Sequence, residues 1–220
     1  MFEEEDRDED DKRAAARWAY ELMHDPAGFV VLDTETTGLG DDAEACQIAV
    51  IDQAGTVLLD TLVRPTVPIG EGAIAVHGIT NEMVASAPAF ADVLPKLREV
   101  TRGRTLVIYN AEYDLRVLDH TSVQHEIVTG ENLGIMVGPA QCAMLRYAAF
   151  HGEWSDYRGD YRWQKLADAC AQQGVEVVDA PAHSALGDCL RTLGVIKAMA
   201  DWYAQEIEEV PASSRPDAAN

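Results

Sequence analysis

The chain has 220 residues, 47% hydrophobic and 25% charged, enough for one globular domain with a buried core. Its formal net charge of −21 argues against a surface that binds nucleic acid passively, since phosphates must be met by Lys and Arg and only four residues are Lys. No apolar run approaches the length that spans a bilayer, so no membrane partner is expected.

Residues 1–13, "MFEEEDRDEDDKR", carry eight acids and three bases. Such a block reads as a disordered acidic tail. It is also unlike a secretory leader, which is basic and then apolar, so a cytoplasmic location is expected. A charge of −16 remains on the rest of the chain. Two explanations stay open: adaptation to high salt, or an acidic surface around a small cleft that is locally basic or charged by metal.

Residues 14–27 begin with a helical pattern around Trp18 and Leu22 that "DPAG" interrupts. The core is expected over 28–205. "FVVLDTE" reads as a strand, and "EACQIAVIDQAGTVLLDTLVRP" as an antiparallel hairpin. Two helical pieces follow, divided at Pro88 and stopped at Gly103, and then a buried strand, "TLVIYN". The spacing predicts further helices over 111–128, 142–150, 163–174 and 184–207, and a flexible tail over 206–220. Hairpin first, strand–helix alternation second: this order predicts an α/β fold, a mixed sheet flanked by helices. Cys46, Cys142, Cys170 and Cys189 are scattered and read as reduced thiols.

Asp33 and Glu35 close the first strand one residue apart, so both side chains point to one face. Like charges so close repel, and a divalent cation removes the conflict. Asp114 falls near the start of the helix after "TLVIYN". His183 and Asp188 lie in "APAHSALGDCLRTL" and converge only if His183 sits on the loop before the helix that holds Asp188. In the aromatic stretch "HGEWSDYRGDYRWQKL", Arg158 and Arg162 are interleaved with the rings. It reads either as a stacking platform for single strands or as a loop in which Trp163 anchors the next helix.

Taken in order, "VVLDTETTGL", "AIAVHGITNEMV", "YNAEYDLRVL" and "AHSALGD" resemble the motifs of the DEDDh group of 3′–5′ exonucleases, the DnaQ-like family of the polymerase III proofreading (epsilon) subunit. The resemblance spans about 28–200. It implies a ribonuclease-H-like sheet and a two-metal phosphodiesterase. Asp33, Glu35, Asp114 and Asp188 would hold two Mg²⁺ (or Mn²⁺) ions, with His183 as general base. Thr36, Thr37, Gly38, His77 and Tyr113 would contact the terminal nucleotide. The implied reaction removes nucleoside 5′-monophosphates from single-stranded or frayed 3′ ends, of DNA rather than RNA, in proofreading, repair or turnover. Any polymerase partner would act in trans. An RNA-trimming enzyme of the same fold and a non-catalytic accessory protein are the alternatives.

Overall fold

The computed structural model describes residues 2–125, 140–177 and 183–209. The chain opens with α1 (Phe2–Met23), then β1 (Phe29–Thr36), β2 (Ala45–Asp52) and β3 (Val57–Leu62). Three helices follow, α2 (Glu71–His77), α3 (Asn81–Val84) and α4 (Phe90–Thr101), and lead into β4 (Thr105–Ile108) and α5 (Ala111–Gln124). After β5 (Ala140–Cys142) come α6 (Ala143–His151) and a small hairpin, β6 (Trp154–Ser155) with β7 (Asp160–Tyr161). Then α7 (Leu166–Gln173) and α8 (Ala185–Glu209) complete the described chain. Among the described residues, the main sheet has the order β3-β2-β1-β4-β5. The pairs β1–β2 and β2–β3 are antiparallel, and β1–β4 and β4–β5 are parallel. This is the expected helix-flanked mixed sheet.

Strand β1 sits mid-sheet, and Phe29 to Leu32 are buried on both faces, as a central strand with parallel pairing requires. Odd residues Phe29 and Val31 pack into one core with Ala16 and Ala19 of α1 and Ile196 and Met199 of α8. Even residues Val30 and Leu32 pack into a second core with Phe90 and Leu97 of α4 and Leu118 of α5. Parity along β1 therefore decides which helix layer a side chain meets.

The N-terminus corrects the tail expected over 1–13: α1 is helical from Phe2. Two contacts tie its acidic end down. The Lys12 ammonium lies 5.3 Å from the Phe150 ring centroid and 4.7 Å from that of Trp202. The Tyr161 hydroxyl lies 2.9 Å from carboxylate oxygens of both Asp8 and Asp11. At the other end α8 runs to Glu209, so 206–209 are helical rather than tail, and 210–220 lie outside the described residues. The last residues of the helix expected over 111–128 also lie outside them. Among the described residues, no helix is long and apolar enough to cross a membrane.

Candidate active site

Strand β1 pairs with β4 only over Phe29–Val31 but with β2 through Thr36. Beyond Val31 the β4 side of β1 is open. The opening lies at the carboxyl ends of two parallel strands, where open α/β sheets bind ligands.

Asp33 and Glu35 follow odd parity and face α8, whose first turn carries Asp188. Oxygens of these three carboxylates lie within 4.8 Å of one another. Asp114, in the first turn of α5 and 4% exposed, comes in from the other layer. Even-numbered Thr34 meets it there: its hydroxyl donates to Asp114 Oδ1 at 2.7 Å and its backbone N–H at 3.2 Å. His183 sits two residues before α8 with φ 56°, a left-handed backbone uncommon outside glycine. The Ser184 hydroxyl accepts the Gly187 N–H at 3.2 Å and caps the helix. His183 is thus on the loop, as convergence with Asp188 required. All four acids and His183 line one pocket of about 210 Å³.

Electrostatics follow from that crowding. Burial, then the charges of Asp114, Asp188 and Glu35, raises Asp33 well above the carboxylate range. Burial, then Asp188 and Asp114, pushes Glu35 up to about 7. Burial pushes Asp114 up to about 7 as well, against the two bonds from Thr34. Burial also raises Asp188, though the Arg191 guanidinium, 3.0 Å from its Oδ1, and His183 pull it back. Four carboxyls in one small cleft are mutually unfavourable without a cation. The close trio offers hard oxygen donors and no thiolate or imidazole, a set that suits Mg²⁺ or Mn²⁺ rather than a softer metal.

The turn after β1 is braced from three sides. Thr36 Oγ1, the Tyr113 hydroxyl and the Gly38 carbonyl form a closed triangle with edges of 2.8–2.9 Å. Thr37 is buried; its hydroxyl accepts the Glu44 N–H at 3.0 Å, and its own N–H donates to the Glu44 carbonyl. His77 Nδ1 accepts from Ile79 N–H at 3.0 Å, which leaves Nε2–H to donate to the Thr36 carbonyl at 3.1 Å. Thr36, Thr37, His77 and Tyr113 therefore shape the turn with their polar atoms. Gly38 differs, since a Cβ built on it meets nothing within 4 Å, and the space before it is open.

Reasoning from motifs passed over Thr34, Arg191 and Asn110. Thr34 had a signal: between two acids of a strand, the middle residue faces the opposite layer. Arg191 had one too, three residues beyond Asp188 on a helix. Asn110, which lines the pocket at the strand–helix junction, had only its place in the motif.

A family model described as exonuclease, of the RNase T type, matches residues 30–196. The "uncharacterized exonuclease CP81" of Escherichia phage 186 is 44% identical over 171 residues, 78% of this chain and 87% of its own. A "DNA polymerase III subunit epsilon-like protein" of Rhodobacter capsulatus is 37% identical over 177 residues, 76% of this chain but 23% of its own, so the chain spans a minor part of that relative. Among solved structures, "Exonuclease X in complex with 5′ overhanging duplex DNA" is 29% identical with a TM-score of 0.57, covering 78% of this chain and 90% of that one. Sheet order, acidic cleft and sequence agree: the chain belongs to the exonuclease family, as a DEDDh-type, DnaQ-like 3′–5′ exonuclease with a ribonuclease-H-like fold.

Proposed function

We propose that the chain uses divalent metal, two Mg²⁺ ions or Mn²⁺ in their place, to remove nucleoside 5′-monophosphates from the 3′ ends of DNA. The observation that carries this reading is the set of Asp33, Glu35 and Asp188 oxygens within 4.8 Å, with Asp114 and His183 on the same pocket. Asp33, Glu35, Asp114 and Asp188 would hold the ions, which supply charge stabilisation for the attacking and leaving oxygens of an in-line displacement. Thr34 fixes Asp114 for that task. His183 takes the proton of the attacking water, since its imidazole lines the same pocket as the four acids and imidazole is the side chain most often used as a general base. The water oxygen bonds to phosphorus, the bond from phosphorus to the 3′ oxygen breaks, and the departing oxygen takes its proton from solvent. The terminal nucleoside would lie over Gly38, within the turn that Thr36, Thr37, His77 and Tyr113 brace.

DNA is favoured as substrate by two relatives. One is exonuclease X, solved in complex with 5′ overhanging duplex DNA. The other is "exodeoxyribonuclease 10" of Escherichia coli, 40% identical over 89 residues, 40% of this chain and 39% of its own. The test is digestion of 5′-labelled single-stranded, duplex and mismatched DNA beside matched RNA. We expect a one-nucleotide ladder from the 3′ end that chelation abolishes and Mg²⁺ restores. Asp33→Ala should lower the rate on the order of 10³-fold, as loss of charge stabilisation in a closed site does. Near-normal Mg²⁺-dependent activity in that variant would remove the site, and faster digestion of RNA would reassign the substrate. Preference for mismatched ends would favour proofreading over general turnover.

A further inference from the structure

We propose that the groove beside the acidic pocket binds the nucleotides on the 5′ side of the scissile phosphate, with Trp163 as stacking platform and Arg116 and Arg158 as phosphate contacts. The inference rests on the exonuclease reading above and extends it to residues outside the family motifs. The acidic pocket, about 210 Å³, is smaller than the roughly 300–1,000 Å³ that encloses drug-sized ligands. A strand whose 3′ end reacts there must leave it. The adjoining groove, about 440 Å³, shares Asn110 and Tyr113 with the pocket as lining residues, so the two lie side by side.

Its wall is unlike the rest of this acidic chain. Arg116, Arg158, Leu145 and Trp163 line it, with Glu112 as its one acid among the described residues. Trp163 is 53% exposed, and the Arg158 guanidinium lies 4.5 Å from its ring centroid. Its ring lines the groove and is not closed into the core. Tyr161 anchors the stretch: it is buried, packs edge-on against Trp154 at 5.1 Å, and reaches Asp8 and Asp11 of α1. The β6–β7 hairpin is thereby pinned at its base while its tip presents Arg158. Gly159 closes the tip at φ 65°, and the Arg158 and Gly159 N–H groups both donate to the Ser155 carbonyl, at 3.0 and 2.9 Å. Arg162 turns away to Glu153 at 3.1 Å. On the facing helix, Arg116 lies over the Tyr113 ring at 5.3 Å and holds the exposed Asp41 at 2.9 Å. Phosphate can compete for it, because an exposed ion pair is worth only about 0–1 kcal/mol. An exposed ring with flanking guanidinium groups is the chemistry that holds single strands without reading sequence.

The experiment compares wild type, Trp163→Ala and Arg158→Ala on two Mg²⁺-dependent substrates. Thymidine 5′-(4-nitrophenyl phosphate) has no nucleotide on the 5′ side, and a ten-nucleotide thymidine strand fills that side. The variants should keep wild-type kcat/KM on the first. On the second each should lose about 5–100-fold, mainly in KM, the worth of one stacked base or its cation. For Arg158→Ala the slope of log KM against log salt should also shrink by about 0.7, one phosphate contact to a single strand. Equal losses on both substrates, or none on the ten-mer, would overturn the assignment. If wild type turns over neither substrate, the exonuclease reading fails instead. Anisotropy of a labelled ten-mer in EDTA then decides the groove: weaker binding by either variant supports it, and unchanged binding sinks it.

Discussion

Within β1, the side chains of Asp33 and Glu35 go to the α8 layer while Thr34, between them, reaches Asp114 of α5. One strand thus orients acids that arrive from both faces of the sheet. The Thr34 hydroxyl lowers the carboxyl of Asp114 against the rise that burial imposes, and so keeps it available as an anion. A Thr34→Val change preserves shape and the backbone bond but removes the hydroxyl. Loss of such a supporting bond typically weakens metal affinity about 10–100-fold. Mg²⁺ titration of activity should show that rise in the half-saturating concentration, with most of the maximal rate recovered at high Mg²⁺. Thr34→Ser should restore the wild-type curve. Equal curves for wild type and Thr34→Val would make the hydroxyl incidental. This dependence was legible only in part: the parity of a strand is written in its sequence, but the approach of α5 from the other layer is not.

Helix α8 carries Asp188 at its first turn and buries Cys189, Leu193, Ile196 and Met199. Its position is fixed by close approach at Gly194, where an added Cβ would run into the Val175 side chain that follows α7. Alanine is ordinarily the better helix residue by about 0.8–1.0 kcal/mol, whereas forced overpacking costs about 1–3 kcal/mol. The clash should win, so Gly194→Ala should lower the denaturation midpoint in urea without altering the slope. A variant as stable as wild type or more so would mean that Val175 simply moves aside. The helix α8 could be read from periodicity because it buries a regular face, and β1 and the β2–β3 hairpin from apolar runs bounded by turn residues. The strands β5, β6 and β7 could not, being only two or three residues long. The start of α1 misled for another reason. Charge density alone favours a solvated coil, and only Tyr161, Phe150 and Trp202, far along the chain, reveal what its polar side chains meet.

Across the molecule, the acidic cleft makes folding depend on pH and metal together. With no cation bound, Glu35 and Asp114 hold protons up to about pH 7, and Asp33 and Asp188 are raised as well. The unfolded chain releases the same protons near pH 4. Between those limits the folded state binds more protons, so unfolding free energy falls as pH rises through the window from about 4 to 7. The whole chain, at −21, adds self-repulsion of the same sign. Asp33→Asn separates the two, since it deletes one cleft carboxylate and alters net charge by a single unit. In EDTA, the thermal midpoints of wild type and Asp33→Asn should lie close together at pH 5. They should diverge by pH 8, with the variant higher by about 2–4 °C for each kcal/mol of repulsion relieved. Saturating Mg²⁺, at about 100 times its dissociation constant, should stabilise wild type by about 2.7 kcal/mol and close or reverse the gap. Parallel curves in EDTA would mean that the four carboxyls do not repel one another in the folded chain, and the metal-holding cleft would lose its electrostatic basis.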